Sequence, residues 1–293
     1  MPVSFRGITV AMVTPFRDGA VDYEALRRQV NFLIEGGVQV ILPCGTTGES
    51  PTLTHEEHHK VIEVTIEEVN KRVPVLAGTG SNSTREAISM SVHAQKAGAD
   101  GLLLVSPYYN KPTQEGLYEH FVAISEAAKL PIILYNIPGR TGVEIFPETI
   151  QRLSQLPYFV GVKEATGDLN KMIRTLELCG PDFLVTSGDD ALTLPLLAVG
   201  GGGVISVAAN VIPSHLVKFW QTWETGDVKS AQAQFFKFLP FFRMLFLETN
   251  PIPVKYALSL MGKMTAEMRL PLLPPAESNR AKIKAILEQW GLI

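Results

Sequence analysis

Lys163 ends the apolar run Tyr158-Phe159-Val160-Gly161-Val162 and opens the polar part of the stretch GVKEATGDL (161–169). An ammonium at the end of a buried strand is costly unless something pairs with it or uses it. Desolvation favours the neutral form of an amine, and a neutral amine is a nucleophile for carbonyl carbon. The plainer alternative is an ion pair with Glu164 or an acidic loop residue that only caps the strand. The company it keeps favours chemistry. A carbinolamine on its way to an imine gains and loses protons several times, and phenols and hydroxyls can carry them. Tyr135, Thr46 and Tyr109 are of the right types.

Such groups have to be delivered to one place by the elements that carry them. Short β-branched runs recur at 8–13, 38–43, 73–78, 100–106, 131–136, 159–164, 183–188 and 202–207, and stretches of helical period lie between them, including 22–37, 54–70, 83–99 and 114–129. Continuous rather than alternating apolar runs mark strands covered on both faces, and strand–helix alternation calls for parallel pairing through right-handed crossovers. Eight such units predict an α/β fold, a (β/α)8 TIM barrel. From about residue 213 the pattern is helical only, which predicts a C-terminal helical appendage; the expected division is a catalytic barrel over 1–224 and a helical domain over 225–293. Barrel enzymes keep their chemistry at the C-terminal ends of the strands. The residues that follow the runs there include Thr14, Gly45-Thr46-Thr47-Gly48-Glu49, Tyr108-Tyr109-Asn110, Tyr135-Asn136, Lys163-Glu164, Ser187-Gly188-Asp189 and Ser206. Small, hydroxylic and phenolic groups collect at one mouth.

Eight motifs then appear in order along nearly the whole chain: GTTGES (45–50), AGTGSNSTREAI (77–88), SPYYNKPTQEGLYEHF (106–121), ILYNIPGRTG (133–142), GVKEATGDL (161–169), SGDDAL (187–192), GGVISVAANV (202–211) and NPIPVKYAL (250–258). In these the chain resembles the pyruvate-dependent class I aldolases related to N-acetylneuraminate lyase, and among them the dihydrodipicolinate synthase branch. The resemblance implies a lyase in which Lys163 forms a Schiff base with pyruvate, Tyr135 moves the protons, and Thr46 links it to Tyr109. It also implies that Tyr109 enters from a neighbouring subunit, within a homotetramer that is a dimer of dimers. Thr46 and Thr47 would hold the pyruvate carboxylate, as amides of a tight turn can, with Gly188 and Ile205 lining the ketoacid pocket. Arg140 would grip the carboxylate of L-aspartate 4-semialdehyde through its guanidinium fork. Sialic acid lyases as a group lack that arginine. The implied product is 4-hydroxy-tetrahydrodipicolinate, on the diaminopimelate route to lysine, and the imine itself serves as electron sink without any cofactor.

The resemblance also puts Ser50, His55, His58, Asn82, Glu86 and Tyr108 around an allosteric L-lysine site at a dimer interface, with Pro51 where a small non-proline residue is frequent. The same stretch contains His55-Glu56-Glu57-His58-His59, an H-E-x-x-H pattern of the kind that binds zinc on a helix. Thr54 and Glu57 form a capping box there, so the pattern falls in the first helical turn, no third ligand is apparent, and no metal is expected. VGGGGV (199–204) lacks the lysine of a phosphate loop and precedes the eighth strand, so it reads as a tight turn. FFKFLPFFRMLF (235–246) is broken by Lys237, Pro240 and Arg243, and reads as a packed helix rather than a membrane-surface one.

Composition narrows the partners. In 293 residues the net charge is −3, which gives no electrostatic reason to expect nucleic acid or an anionic membrane. Two cysteines, Cys44 and Cys179, are too few for a disulfide framework. No basic region with a long apolar stretch opens the chain. The expectation is a cytoplasmic protein acting on small molecules.

Overall fold

The computed structural model describes residues 3–293. Eight parallel strands, β1 (Gly7–Ala11), β2 (Val40–Leu42), β3 (Leu76–Gly78), β4 (Gly101–Val105), β5 (Ile132–Asn136), β6 (Phe159–Glu164), β7 (Leu184–Ser187) and β8 (Gly203–Ser206), form one sheet. Its order runs β2-β1-β8-β7-β6-β5-β4-β3, and a parallel bridge between Ile41 and Val75 closes the ring. The seam is held by Ile41 N–H to the Pro74 carbonyl at 3.1 Å and Gly78 N–H to the Pro43 carbonyl at 3.0 Å. The fold is therefore the (β/α)8 barrel expected from the sequence.

The helices between the strands are α1 (Tyr23–Glu35), α2 (His55–Val69), α3 (Thr84–Ala97), α4 (Gln114–Ala128), α5 (Pro147–Ser154), α6 (Leu169–Cys179) and α7 (Thr193–Ala198), with α8 (Pro213–Glu224) following β8. Their starts are written locally: Asp22 accepts from Ala25 N–H at 2.9 Å, and Thr54 with Glu57 forms the full capping box. The runs read as 8–13, 38–43 and 73–78 are each shorter as strands, at Gly7–Ala11, Val40–Leu42 and Leu76–Gly78.

Side chains alternate across each strand. One set, including Ala11, Val40, Leu42, Leu76, Leu103, Ile133, Tyr135 and Ile205, fills the barrel interior. The other, including Ile8, Val10, Ile41, Leu102, Leu104, Leu134 and Val162, packs under the helices. At the lower end, a Cβ on Gly203 (φ +139°) would lie 2.1 Å from the Gly7 carbonyl oxygen, so the VGGGGV turn is a place of close backbone approach.

Three further helices follow, α9 (Val228–Met244), α10 (Ile252–Leu260) and α11 (Glu277–Gln289). α9 contains Pro240 without breaking, and Phe235, Phe238, Phe241 and Phe242 are buried while Phe236 stands out. Phe219 of α8 packs against Phe235 and Phe238, and Phe241 lies 5.2 Å from the Trp290 ring. The turn before α10 carries Asn250 back to the barrel mouth. No helix among the described residues is long and apolar enough to cross a membrane.

Candidate active site

Strand register decides what surrounds Lys163. Tyr135 pairs with Lys163 and Asn136 pairs with Glu164 across β5 and β6. Alternation then sends Lys163 and Tyr135 into the barrel, and Glu164 and Asn136 outward. Lys163 is 6% exposed, and its Nζ lies 4.1 Å from the centre of the Tyr135 ring. The Glu164 carboxylate instead accepts from Asn136 Nδ2 at 3.0 Å and from Thr166 N–H at 2.9 Å. Burial pushes the Glu164 carboxyl up, against the pull of those hydrogen bonds. The ion pair that would have made Lys163 a simple strand cap is therefore absent.

Gly188, after β7, keeps space open beside this lysine. A Cβ there would lie 2.6 Å from the Ala165 Cβ and 3.1 Å from Lys163 Cε. Ile205 of β8 is buried in the same interior cluster as Tyr135. Thr46 and Thr47 open a short helical turn, Thr46–Gly48, whose first N–H groups have no partner inside the turn. The Thr47 hydroxyl accepts from Asn250 Nδ2 at 3.0 Å. Arg140 lies in a helical turn, Pro138–Thr141, and its Nη2 donates to the Asn250 carbonyl at 3.1 Å.

A cavity of about 490 Å³ opens over these groups, lined by Thr46, Tyr135 and Arg140 at one end and by Ser50, His55, His58 and Glu86 at the other, with Tyr108 on its wall. Lys163, Thr47, Gly188 and Ile205 are not among the residues that line it. Tyr109 is also outside it: at φ +71° it stands 90% exposed, so within one chain it does not join Thr46 and Tyr135.

At the far end, His55 Nε2 meets Glu86 Oε1 at 2.9 Å, and the Ser81 hydroxyl donates to the other Glu86 oxygen. His58 Nε2 lies 2.9 Å from the Gly78 carbonyl. Burial holds His58 neutral by pushing its pKa down to about 4, so Nε2 donates and Nδ1 is a bare acceptor without a partner among the described residues. Asn82 does not line the cavity but ties the loop beside it, donating to the Tyr108 carbonyl at 3.2 Å. His59 turns away and stacks on His93 at 3.8 Å, so His55 and His59 of the H-E-x-x-H pattern face different partners.

The dihydrodipicolinate synthetase family model matches residues 4–290. The chain belongs to that family. It is 54% identical over 289 residues to a 4-hydroxy-tetrahydrodipicolinate synthase of Syntrophus aciditrophicus, covering 99% of both chains. The chloride-inhibited dihydrodipicolinate synthase of Acinetobacter baumannii, solved in complex with pyruvate, is 45% identical with a TM-score of 0.96, over 99% of this chain and 100% of that one. The enzyme of Cyanidioschyzon merolae, solved with lysine bound, is 41% identical with a TM-score of 0.96, over 99% of each chain.

Two supporting groups in the site had no role in the reading of the sequence. Glu49 follows the Thr46–Gly48 turn at φ +52° and is fully buried against Lys255 Nζ of α10, at 2.5 Å. Its second oxygen accepts from Arg269 N–H at 3.1 Å, and the Arg269 guanidinium reaches Glu57 at 2.6 Å. Asn250, already described, is the other. The signal was present: an acid inside an otherwise small and hydroxylic motif, GTTGES, and a lysine inside an apolar one, NPIPVKYAL, each need a partner when buried.

Proposed function

We propose that this chain condenses pyruvate with L-aspartate 4-semialdehyde to 4-hydroxy-tetrahydrodipicolinate, in the diaminopimelate route of lysine biosynthesis, as a lyase of the class I aldolase type. The observation that carries the reading is Lys163, buried at the barrel mouth without an ion pair among the described residues and facing the Tyr135 ring. The family and the names of the relatives support the reaction, and the placement of Lys163, Tyr135 and Thr46 supports the roles given to them here.

The amine of Lys163 adds to the ketone carbon of pyruvate, and loss of water from the carbinolamine gives the imine. Tyr135 passes the protons, with Thr46 on the same cavity wall to relay them. Loss of a methyl proton gives an enamine, the imine nitrogen taking up the electron pair. The enamine carbon attacks the aldehyde, and the amino group of the second substrate then attacks the imine carbon and displaces Lys163 as the ring closes. The chemistry asks for neither metal nor organic cofactor. Thr46 and Thr47 hold the pyruvate carboxylate, and Gly188 and Ile205 shape the space for its methyl and keto groups. Arg140, at the open end of the cavity, takes the carboxylate of the semialdehyde. Tyr109, 90% exposed, is free to complete the relay of a second copy, which asks for at least a dimer, and the resemblance to the family extends this to a homotetramer built as a dimer of dimers. The acceptors at the far end, Glu86 and the bare His58 Nδ1, suit the ammonium groups of L-lysine, and Ser50, His55, Asn82 and Tyr108 frame them as a feedback site.

The test is pyruvate consumption with the semialdehyde, N-acetylmannosamine or glyceraldehyde as second substrate, with borohydride trapping of the pyruvate adduct. Turnover with the semialdehyde and a trapped adduct, both lost in Lys163→Ala, are expected. Preference for a sugar aldehyde would overturn the substrate, and absence of any adduct would overturn the mechanism. Millimolar-scale lysine without effect on the rate would remove the feedback site.

A further inference from the structure

Asn250 touches both residues assigned above to the substrate carboxylates. It is 6% exposed. Its Nδ2 donates to the Thr47 hydroxyl at 3.0 Å, and its main-chain carbonyl accepts from Arg140 Nη2 at 3.1 Å. A hydroxyl has one hydrogen and two lone pairs. With one lone pair taken by the amide N–H, the Thr47 hydrogen is left to give, and accepting one bond strengthens the bond it donates.

Both partners of this contact are fixed by a single buried pair. Glu49 lies two residues after Thr47 and Lys255 five residues after Asn250, and their side chains are fully enclosed. Lys255 Nζ also lies 4.2 Å from the Phe16 ring, with the Arg269 guanidinium 4.4 Å from the same ring. The C-terminal helices thus hold the Thr46–Glu49 loop through Glu49, and Asn250 is the group they present to Thr47.

We infer that Asn250 is a positioning residue that commits the Thr47 hydroxyl to donate to the ketoacid carboxylate while its carbonyl holds Arg140 alongside, a role that rests on the pyruvate-condensing reading of this site. Asn250→Asp has nearly the same shape but the opposite polarity: the ionised carboxylate accepts the Thr47 hydrogen and turns a lone pair toward the substrate. Asn250→Ala only frees the hydroxyl to rotate.

The experiment measures steady-state kinetics with pyruvate varied, alongside thermal melts and borohydride trapping at saturating pyruvate. For Asn250→Ala the pyruvate KM should rise about fivefold to tenfold, with kcat within about threefold of the parent. For Asn250→Asp it should rise about a hundredfold, because an acceptor then faces an anion. A residue that merely supports the fold would lower kcat and melting temperature together and would not rank Asp below Ala. In a Thr47→Val background, Asn250→Asp should add no further rise in KM. A further rise there would mean that the new charge repels pyruvate directly, and would overturn the inference even if Asn250→Ala failed to fold. An unchanged KM in variants that fold and trap pyruvate would overturn it alone. Absence of a trapped adduct in the parent protein would remove the underlying reading, and this role with it.

Discussion

Lys163 and Lys255 are both buried, yet their surroundings differ in one respect that separates their work. Each Nζ lies close to an aromatic ring, Tyr135 at 4.1 Å and Phe16 at 4.2 Å. Lys255 also has Glu49 at 2.5 Å, and both side chains are fully enclosed. Lys163 has no ion pair among the described residues, since strand alternation turns Glu164 to the opposite face of β6. Burial pushes the Lys255 amine below the usual lysine range while Glu49 pulls it back. A carboxylate beside Lys255 keeps that side chain as half of a joint between barrel and appendage. The lack of one among the described residues leaves the Lys163 amine facing a phenol ring, with Gly188 keeping space beside it.

The largest expected effect follows from that contrast. Lys163→Met should abolish turnover and trapping but leave stability near that of the parent, because no buried partner is left unpaired. Lys255→Met should do the reverse in stability, costing about 3–5 kcal/mol by stranding the Glu49 carboxylate. Glu49→Gln with Lys255→Met should recover most of that loss, since replacing a buried pair by neutral groups of similar size is often close to neutral. Urea unfolding of the three variants checks this. If Lys163→Met proved as destabilising as Lys255→Met, the Lys163 ammonium would be structurally paired and the comparison would collapse.

Arg140 sharpens the comparison at a smaller scale. Its guanidinium is tethered on one side to the Asn250 carbonyl and lines the cavity, so removal should affect the second substrate rather than the imine. Arg140→Ala should weaken the step with the semialdehyde by about 1.5–3 kcal/mol, on the order of ten- to a hundredfold in kcat/KM. Trapping with pyruvate alone should be unchanged. A loss of trapping would place Arg140 at the ketoacid instead.

How much of this was legible follows from the physics of each element. Eight apolar runs and their alternation with helical segments were enough for the barrel, because strands covered on both faces have a plain signature. The short helices α5 and α7 did not stand out: Pro147–Ser154 and Thr193–Ala198 span eight and six residues, too few turns for a clear period. Lys163, Tyr135 and Thr46 were readable because strand ends in a barrel converge. Tyr109 could not be placed by the same rule, because its position depends on the loop and not on a strand. The Glu49–Lys255 pair was invisible for another reason: its members lie 206 positions apart, and only the docking of α10 brings them together. Asn250 was quoted within a motif, but nothing local says which hydroxyl its amide meets.

The smallest expected effect tests the principle behind the comparison on a group whose titration can be followed. His58, like Lys163, is a buried base without a carboxylate beside it; its Nε2 has only the Gly78 carbonyl. Burial pushes its pKa down to about 4 in the folded state, against about 6.5 in the unfolded chain. The folded state therefore holds fewer protons on this residue between those two values, so stability rises with pH there. The contribution is complete above about pH 6.5 and is lost as the pH falls toward 4, with roughly 2 kcal/mol gone between pH 7 and 5. His58→Gln keeps an N–H for the Gly78 carbonyl and cannot take a proton. Its unfolding free energy, measured in urea at pH 7 and pH 5, should fall by roughly 2 kcal/mol less than that of the parent. His120, also pushed down to about 4 by burial, is present in both proteins and cancels in the difference. An equal fall in the two would mean that His58 meets its proton without cost in the fold. Enclosure without an acid would then not be what separates the two lysines.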